Sequence, residues 1–101
     1  MAAKSFDEKV WNLTAKIPKG KVTTYRLIAR KLGTTAYRAV GNALNRNPHA
    51  PRVPCHRVVK SNGEVGGFAQ GTRQKIKMLR KEGIKIKNNK IEYFEKVLFS
   101  F

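Results

Sequence analysis

The run Pro54-Cys55-His56-Arg57-Val58-Val59 places the chain's single cysteine directly before one of its two histidines. A thiol reacts as its thiolate, and a neighbouring basic group makes thiolate available near neutral pH. The pairing therefore points to nucleophilic chemistry centred on Cys55, with His56 as its base. The spacing sets a condition on that chemistry. Adjacent residues of an extended segment point to opposite faces, so if Val58-Val59 marks a strand, either the chain turns sharply at Pro54 or a water relays between imidazole and sulfur. The competing reading is a small buried hydrophobe, the usual fate of a lone free cysteine. Local composition alone favours that blander reading, and the rest of the chain shifts the balance.

The sequence has 101 residues, enough for one domain with a modest core. Hydrophobic residues make up 41%, which suits a folded chain. Twenty-two Lys and Arg stand against 6 Asp and Glu, for a formal net charge of +16. That excess predicts a polyanionic partner, nucleic acid first and an anionic membrane surface second. No continuous apolar span reaches bilayer length. Met1 to Asp7 has no apolar core of a secretory leader, and one unpaired cysteine fits a reducing compartment. An intracellular, cytoplasmic and DNA-associated location is expected.

The elements that must hold the Cys55 run follow from local pattern. Ser5-Phe6-Asp7-Glu8 is a capping box, and Phe6, Val10, Leu13 and Ile17 recur at helical spacing, predicting a first helix to about Lys16. Pro18-Lys19-Gly20-Lys21 breaks it. Thr23 or Thr24 caps a second helix through Leu27, Ile28 and Leu32, with Gly33 at the stop. Thr34 or Thr35 then caps a third helix to about Asn45, with Ala36, Val40, Ala43 and Leu44 inward. Two short helices around a tight glycine turn form a helix-turn-helix pattern, with an ordinary helical hairpin as the alternative. The outward face of the third helix carries Tyr37, Arg38, Gly41, Asn42 and Asn45 and no acid. A glycine there costs the helix about 1 kcal/mol relative to alanine, which suggests close approach of a partner such as a DNA groove.

Asn45 to Pro54 is a loop stiffened by Pro48, Pro51 and Pro54, and it delivers Cys55. Arg57–Lys60 and Glu64-Val65 read as a hairpin about Asn62-Gly63. Gly66 to Gly71 is glycine-rich but lacks a phosphate-binding Lys-Ser/Thr signature. Thr72 caps a fourth helix with Ile76, Met78 and Leu79 partly inward, ending at Glu82-Gly83. Ile84–Lys87 and Lys90–Phe94 alternate like a second hairpin about Asn88-Asn89, and Val97-Leu98-Phe99 covers the core.

These motifs together resemble the O6-alkylguanine-DNA alkyltransferases, the methylated-DNA–protein-cysteine methyltransferases. Pro54 to Val59 is similar to the family's active-site signature. Thr24-Tyr25, Arg38-Ala39-Val40-Gly41, Asn47-Pro48, Val65-Gly66-Gly67 and Glu82-Gly83 fall in family order at family-like spacing, so the resemblance covers roughly residues 6 to 86. It implies a mainly α domain with small β-hairpins, a winged helix-turn-helix-like DNA-binding fold. Residues 1–101 then form a single catalytic and DNA-binding domain, without the amino-terminal domain that usually precedes it.

By the same resemblance the activity is single-turnover repair, in which a flipped O6-alkylguanine gives its alkyl group irreversibly to cysteine. Cys55 is the acceptor, His56 deprotonates it through a water, Glu82 orients His56, and Asn47 orders the active turn. Tyr25 is the phenol near the flipped base, and Arg38 enters the stack in the base's place. Thr24, Tyr37, Arg38, Ala39, Gly41, Asn42 and Arg57 form the expected DNA-binding set. The partner implied is double-stranded DNA carrying the lesion, bound in the minor groove by a monomer, with no membrane, metal or cofactor. Elementary chemistry agrees: an alkyl carbon suits a soft thiolate, and a stacked base must be extruded to be reached. Tyr37 stands where relatives often have a small residue, and Phe68-Ala69-Gln70 departs from the family loop.

Two other readings compete. A non-catalytic alkyltransferase-like lesion binder would lack the reactive cysteine, commonly having tryptophan there, and Cys55 speaks for chemistry. A plain helix-turn-helix regulator would leave Cys55, His56 and Glu82 without purpose.

Overall fold

The computed structural model describes residues 5–101; the start of the stretch in which no secretory leader was read lies outside them. The first helix, α1 (Phe6–Thr14), begins with the capping box that the sequence predicts: Ser5 accepts from the Glu8 amide, and Glu8 reaches back to the Ser5 backbone. Its inward residues Val10 and Leu13 are buried. Trp11 at its edge donates through Nε1 to the Ala43 carbonyl at 2.8 Å. Asp7 and Arg46 tie its start to the end of the third helix by two bonds of 2.7 and 2.9 Å.

Thr24 ends the two-residue strand β1 (Thr23–Thr24) and caps α2 (Tyr25–Lys31), its hydroxyl accepting from the Leu27 amide at 3.0 Å. The turn after α2 runs through Gly33 at φ +73°, a left-handed geometry that favours glycine. α3 (Tyr37–Asn45) follows, completing the helix-turn-helix. Its expected cap is corrected here. Neither Thr34 nor Thr35 caps it; Ala36 holds that place without a side-chain bond, and Thr34 accepts from the Ala36 amide instead. Ala36 is accordingly exposed, while Val40, Ala43 and Leu44 face inward as expected.

The loop from Asn47 to Pro54 leads into a single 3-10 turn, Cys55–Arg57, and then strand β2 (Val58–Val59). β2 does not form the expected hairpin with Glu64-Val65. It lies parallel to β1, with Thr23 opposite Val58 and Thr24 opposite Val59. The Asn62-Gly63 turn still forms, since Lys60 donates to the Glu64 carbonyl, but Glu64 then bridges to Lys90. The inward demand of both valines explains the swap. Val58 packs in one apolar cluster with Val10, Ile28, Val40 and Cys55, and Val59 in a second with Val22, Val65, Leu79 and Ile84. Alternation along β2 thus makes it the partition between two half-cores.

α4 (Thr72–Lys81) covers the second cluster, and Gly71 rather than Thr72 occupies its N-cap. The predicted second hairpin forms as β3 (Ile86–Lys87) and β4 (Lys90–Ile91), with Asn88 and Asn89 both at positive φ as a tight twisted turn requires. A short α5 (Phe94–Val97) precedes the tail. There Val22 donates to the Val97 carbonyl and accepts from the Phe99 amide.

Candidate active site

The turn at Cys55 settles how adjacent residues can cooperate. Cys55, His56 and Arg57 form one 3-10 turn after Pro54, so the segment is not extended at this point. Cys55 is 9% exposed and His56 2%, so both lie within the protein wall. Asn47 braces the loop that delivers them. Its side-chain amide donates to the Val53 carbonyl at 2.8 Å, and its oxygen accepts from the His49 amide at 2.9 Å. Cys55 itself donates its amide to the Val53 carbonyl.

Glu82 is the C-cap residue of α4, where the helix dipole disfavours a carboxylate. Three donors offset that. Arg57 grips it through Nε to Oε1 at 2.9 Å and through Nη2 to Oε2 at 2.7 Å, and His56 Nε2 stands 3.0 Å from Oε2. Burial pushes the Glu82 carboxyl up, but the hydrogen bonds from Arg57 and His56 outweigh it and hold the group below its ordinary range. An ionised carboxylate only accepts, so the hydrogen between them sits on His56 Nε2. Burial lowers the His56 pKa against the opposing pull of Glu82, keeping the ring neutral. A neutral ring with hydrogen on Nε2 has its lone pair on Nδ1, and that buried atom has no partner among the described residues. Glu82 thus holds a neutral ring whose Nδ1 lone pair meets no partner among the described residues.

Tyr25 stands at the first position of α2, half-buried, with its hydroxyl 3.5 Å from the Gly67 carbonyl. Burial first, and then the nearby Cys55 sulfur, push its phenol up, so it stays an O–H group. Gly66, at φ +76°, lets the backbone approach that phenol: a Cβ there would lie 3.4 Å from the Tyr25 oxygen.

The DNA-binding set divides. Tyr37, Arg38 and Asn42 are exposed on α3, Ala39 and Gly41 are half-buried beside them, and Gly41 faces the Tyr25 ring at 4.0 Å. Tyr37 also lines a cleft with Tyr25, Arg26, Lys60, Ser61 and Asn62. Two residues of the expected set do not lie on that exposed face. Thr24 is 3% exposed, its hydroxyl used as the α2 cap. Arg57 is turned inward, its guanidinium divided between Glu82 and the Ile17 carbonyl at 2.7 Å. Of the departures from the family loop, Phe68 packs on the Cys55 half-core, while Ala69 and Gln70 are exposed.

Sequence reasoning missed Lys75. It is 0% exposed, and its amine donates to the carbonyls of Val58 at 2.6 Å and Gly67 at 3.1 Å and to the Tyr25 hydroxyl at 3.4 Å. The signal was available: Thr72, Lys75, Ile76 and Leu79 share one helical stripe, and only the charge of Lys75 argued against reading it as inward.

Residues 5–84 match the family described as 6-O-methylguanine DNA methyltransferase, DNA binding domain. The chain belongs to this family. Among its methyltransferase relatives, the methylated-DNA–protein-cysteine methyltransferase of Saccharolobus islandicus (strain L.S.2.15 / Lassen #1) is 48% identical over 81 residues, covering 80% of this chain and 52% of that protein. The Methanosarcina acetivorans protein of the same name is 48% identical over 79 residues, covering 77% and 51%. The chain thus spans about half the length of the curated relatives it matches. Mycobacterium tuberculosis OGT, solved in complex with DNA, is 38% identical with a TM-score of 0.75, over 80% of this chain and 51% of that one. S. pombe Atl1, solved with damaged DNA containing O6-carboxymethylguanine, is 28% identical with a TM-score of 0.83, over 100% of both chains. The helix-turn-helix-type fold of the methyltransferase family is therefore the fold of this chain.

Proposed function

We propose that this protein repairs DNA by taking the alkyl group of O6-alkylguanine onto Cys55, once per molecule, as a methylated-DNA–[protein]-cysteine S-methyltransferase. The observation that carries the reading is the unpartnered Nδ1 of His56, buried one residue from the sulfur in a ring that Glu82 fixes from behind. His56 Nδ1 takes the thiol proton, directly or through one water. The sulfur then bonds to the alkyl carbon as the carbon–O6 bond breaks, and the electron pair leaves with the guanine oxygen. No step regenerates the thiol, so the protein is consumed. Asn47 holds the turn, and Tyr25 offers its O–H group to the base.

Duplex DNA is the proposed partner, supported by the +16 charge and by the DNA complexes of the similar OGT and Atl1. In this reading α3 lies in the minor groove, with Gly41 allowing close approach and Arg38 filling the place of the extruded base. Exposed Tyr37, Asn42 and the edge of Ala39 complete that face. A second reading is non-catalytic lesion binding, favoured by the full-length likeness to Atl1. Incubation with an O6-methylguanine oligonucleotide followed by intact-mass analysis separates the two. Transfer adds one methyl per molecule, on Cys55, with no turnover. An unmodified chain that still binds the lesion is the non-catalytic protein.

A further inference from the structure

Tyr93 stands between β4 and α5 in a left-handed conformation, at φ +54° and ψ +41°, and is 61% exposed. Left-handed backbone strains a bulky residue, and glycine or asparagine would relieve it. An exposed ring gains little burial to offset that strain. What the ring touches is charge: the Lys85 amine lies 5.8 Å and the Lys96 amine 5.5 Å from its centre. Lys21 brings a third amine beside them, donating to the Lys96 carbonyl at 2.9 Å. Along the same hairpin Lys87 and Lys90 stand directly opposite each other, both exposed, a like-charge pairing that destabilises the strands. Among the described residues none of these lysines pairs with a carboxylate, although Glu92 and Glu95 lie within two positions of Tyr93. Each choice costs the fold stability, and both gather positive charge in one place.

We propose that the β3–β4 hairpin and Tyr93 form a second phosphate-backbone contact for the duplex, distinct from the α3 face. Tyr93 holds the Lys85 and Lys96 amines in place, Lys87 and Lys90 extend the row, and together they meet phosphates beyond the lesion. The inference rests on reading duplex DNA as the partner. The Asn62-Gly63 turn connects the two faces. Ser61 and Asn62 line the cleft with Tyr25 and Tyr37. Gly63 accepts the Ile91 amide at 2.8 Å, and a Cβ on it would lie 3.6 Å from the Phe94 ring. A duplex seated on α3 therefore has the hairpin alongside the turn. Phosphate is the chemistry that suits the row, because compact ammonium charges neutralise a polyanion and release its counterions without reading sequence. Amines already held against a ring have less freedom to lose on binding. A membrane surface suits lysines set beside several exposed apolar side chains, and here Ile86 and Ile91 are buried. The family match ends at residue 84, before Lys85, so it does not cover this contact.

Salt titrations of binding to an undamaged duplex test this, and they need no alkyl transfer. The slope of log affinity against log salt should become shallower by about 2 in Lys85→Gln/Lys96→Gln, since each phosphate contact contributes about 0.9. Lys9→Gln/Lys16→Gln removes the same charge from the exposed surface of α1 and the turn after it, and should change the slope little. An equal fall in both pairs means bulk charge alone and overturns the proposal. Tyr93→Asn should weaken duplex binding about two- to fivefold, the worth of an exposed cation–π contact. Its thermal unfolding should stay at or above native, because asparagine accepts the left-handed backbone. A Tyr93→Asn chain that unfolds earlier and binds normally makes the ring a packing element, and that also overturns the proposal. So does weaker binding of the Lys85/Lys96 variant to vesicles of phosphatidylserine and phosphatidylcholine with an unchanged duplex slope, which assigns the surface to a membrane. Native slopes in every variant of a chain that binds DNA remove only this contact. A native chain that binds no duplex removes the DNA reading itself, and this contact with it.

Discussion

His56 Nε2 and Arg57 Nη2 share one oxygen of Glu82, at 3.0 and 2.7 Å. The imidazole is oriented by a carboxylate that is itself clamped by the residue next to the imidazole. The relay is therefore closed within three residues, and its weak point is the carboxylate. Glu82→Gln keeps the shape but replaces an acceptor-only group with an amide that also donates. We expect it to slow alkyl transfer by about 10²-fold or more, the low end for loss of a general base, with duplex affinity near native. Single-turnover rates beside binding isotherms read the two separately, and a native rate in a folded Glu82→Gln protein removes Glu82 from the mechanism.

The acid side of the pH profile belongs to the same pair. Burial lowers His56 and Glu82 bonds oppose it, so the ring stays neutral below its ordinary range. Transfer should hold steady as pH falls through the usual imidazole midpoint and decline only below it. Stability follows the same sign. For both His56 and Glu82 the folded chain binds fewer protons than the unfolded one, so acid favours unfolding. His56 begins to destabilise below about 6.5. The contribution of Glu82, present above its unfolded midpoint, is lost as pH falls through its depressed folded value. Denaturant unfolding from pH 7 to 3 should show native stability falling more steeply than that of Glu82→Gln.

Arg38 and Arg57 should part company. Arg38→Ala is expected to slow repair in duplex DNA even at saturating protein, while reaction with free O6-benzylguanine, if accepted, changes little, because only the duplex has a stack to open. Arg57 faces inward, so Arg57→Ala should leave the salt dependence of duplex binding unchanged. It should lower stability instead, by about 1–3 kcal/mol, as expected when part-buried groups lose a hydrogen-bond partner. Equal losses of salt slope in both variants would undo this division.

Gly41 offers a test in which stability and function move in opposite directions. It is helical, and an added Cβ would meet only the Tyr25 ring at an ordinary 4.0 Å. Gly41→Ala should therefore stabilise the chain by about 0.5–1 kcal/mol. If α3 sits deep in a groove, the same methyl should weaken duplex binding. Thermal unfolding and a binding isotherm on one preparation decide it, and unimpaired binding places the groove contact elsewhere.

What the sequence discloses follows the range of the forces involved. Local signals were legible: the Ser5–Glu8 capping box, the Thr24 cap, the Gly33 turn and the Asn88-Asn89 hairpin each depend on a few neighbouring residues. The pairing of β2 with β1 was not, because Val58-Val59 and Thr23-Thr24 are too short to carry register and meet only when both half-cores form. That Thr24 and Arg57 lie off the exposed face was not legible for a related reason. A motif fixes which residues recur, but whether a hydroxyl caps a helix or touches a phosphate depends on where the next element lies. Lys75 was hidden by its charge, since a lysine on an inward stripe is rare enough to be read as surface.

The tail pairing gives the chain an order of assembly. Thr23 Oγ1 donates to the Phe99 carbonyl, a contact across 76 positions, and Phe99 packs on the half-core that contains Cys55. Contacts of such separation close late, after the local helices, because the loop entropy must be met first. A chain growing from its amino terminus thus has its thiol, its imidazole and Glu82 out in solvent before it has the segment that seats β1. The thiol therefore lies upstream of the residues that lock its half-core into shape, so its surroundings mature only once the Phe99 contact closes.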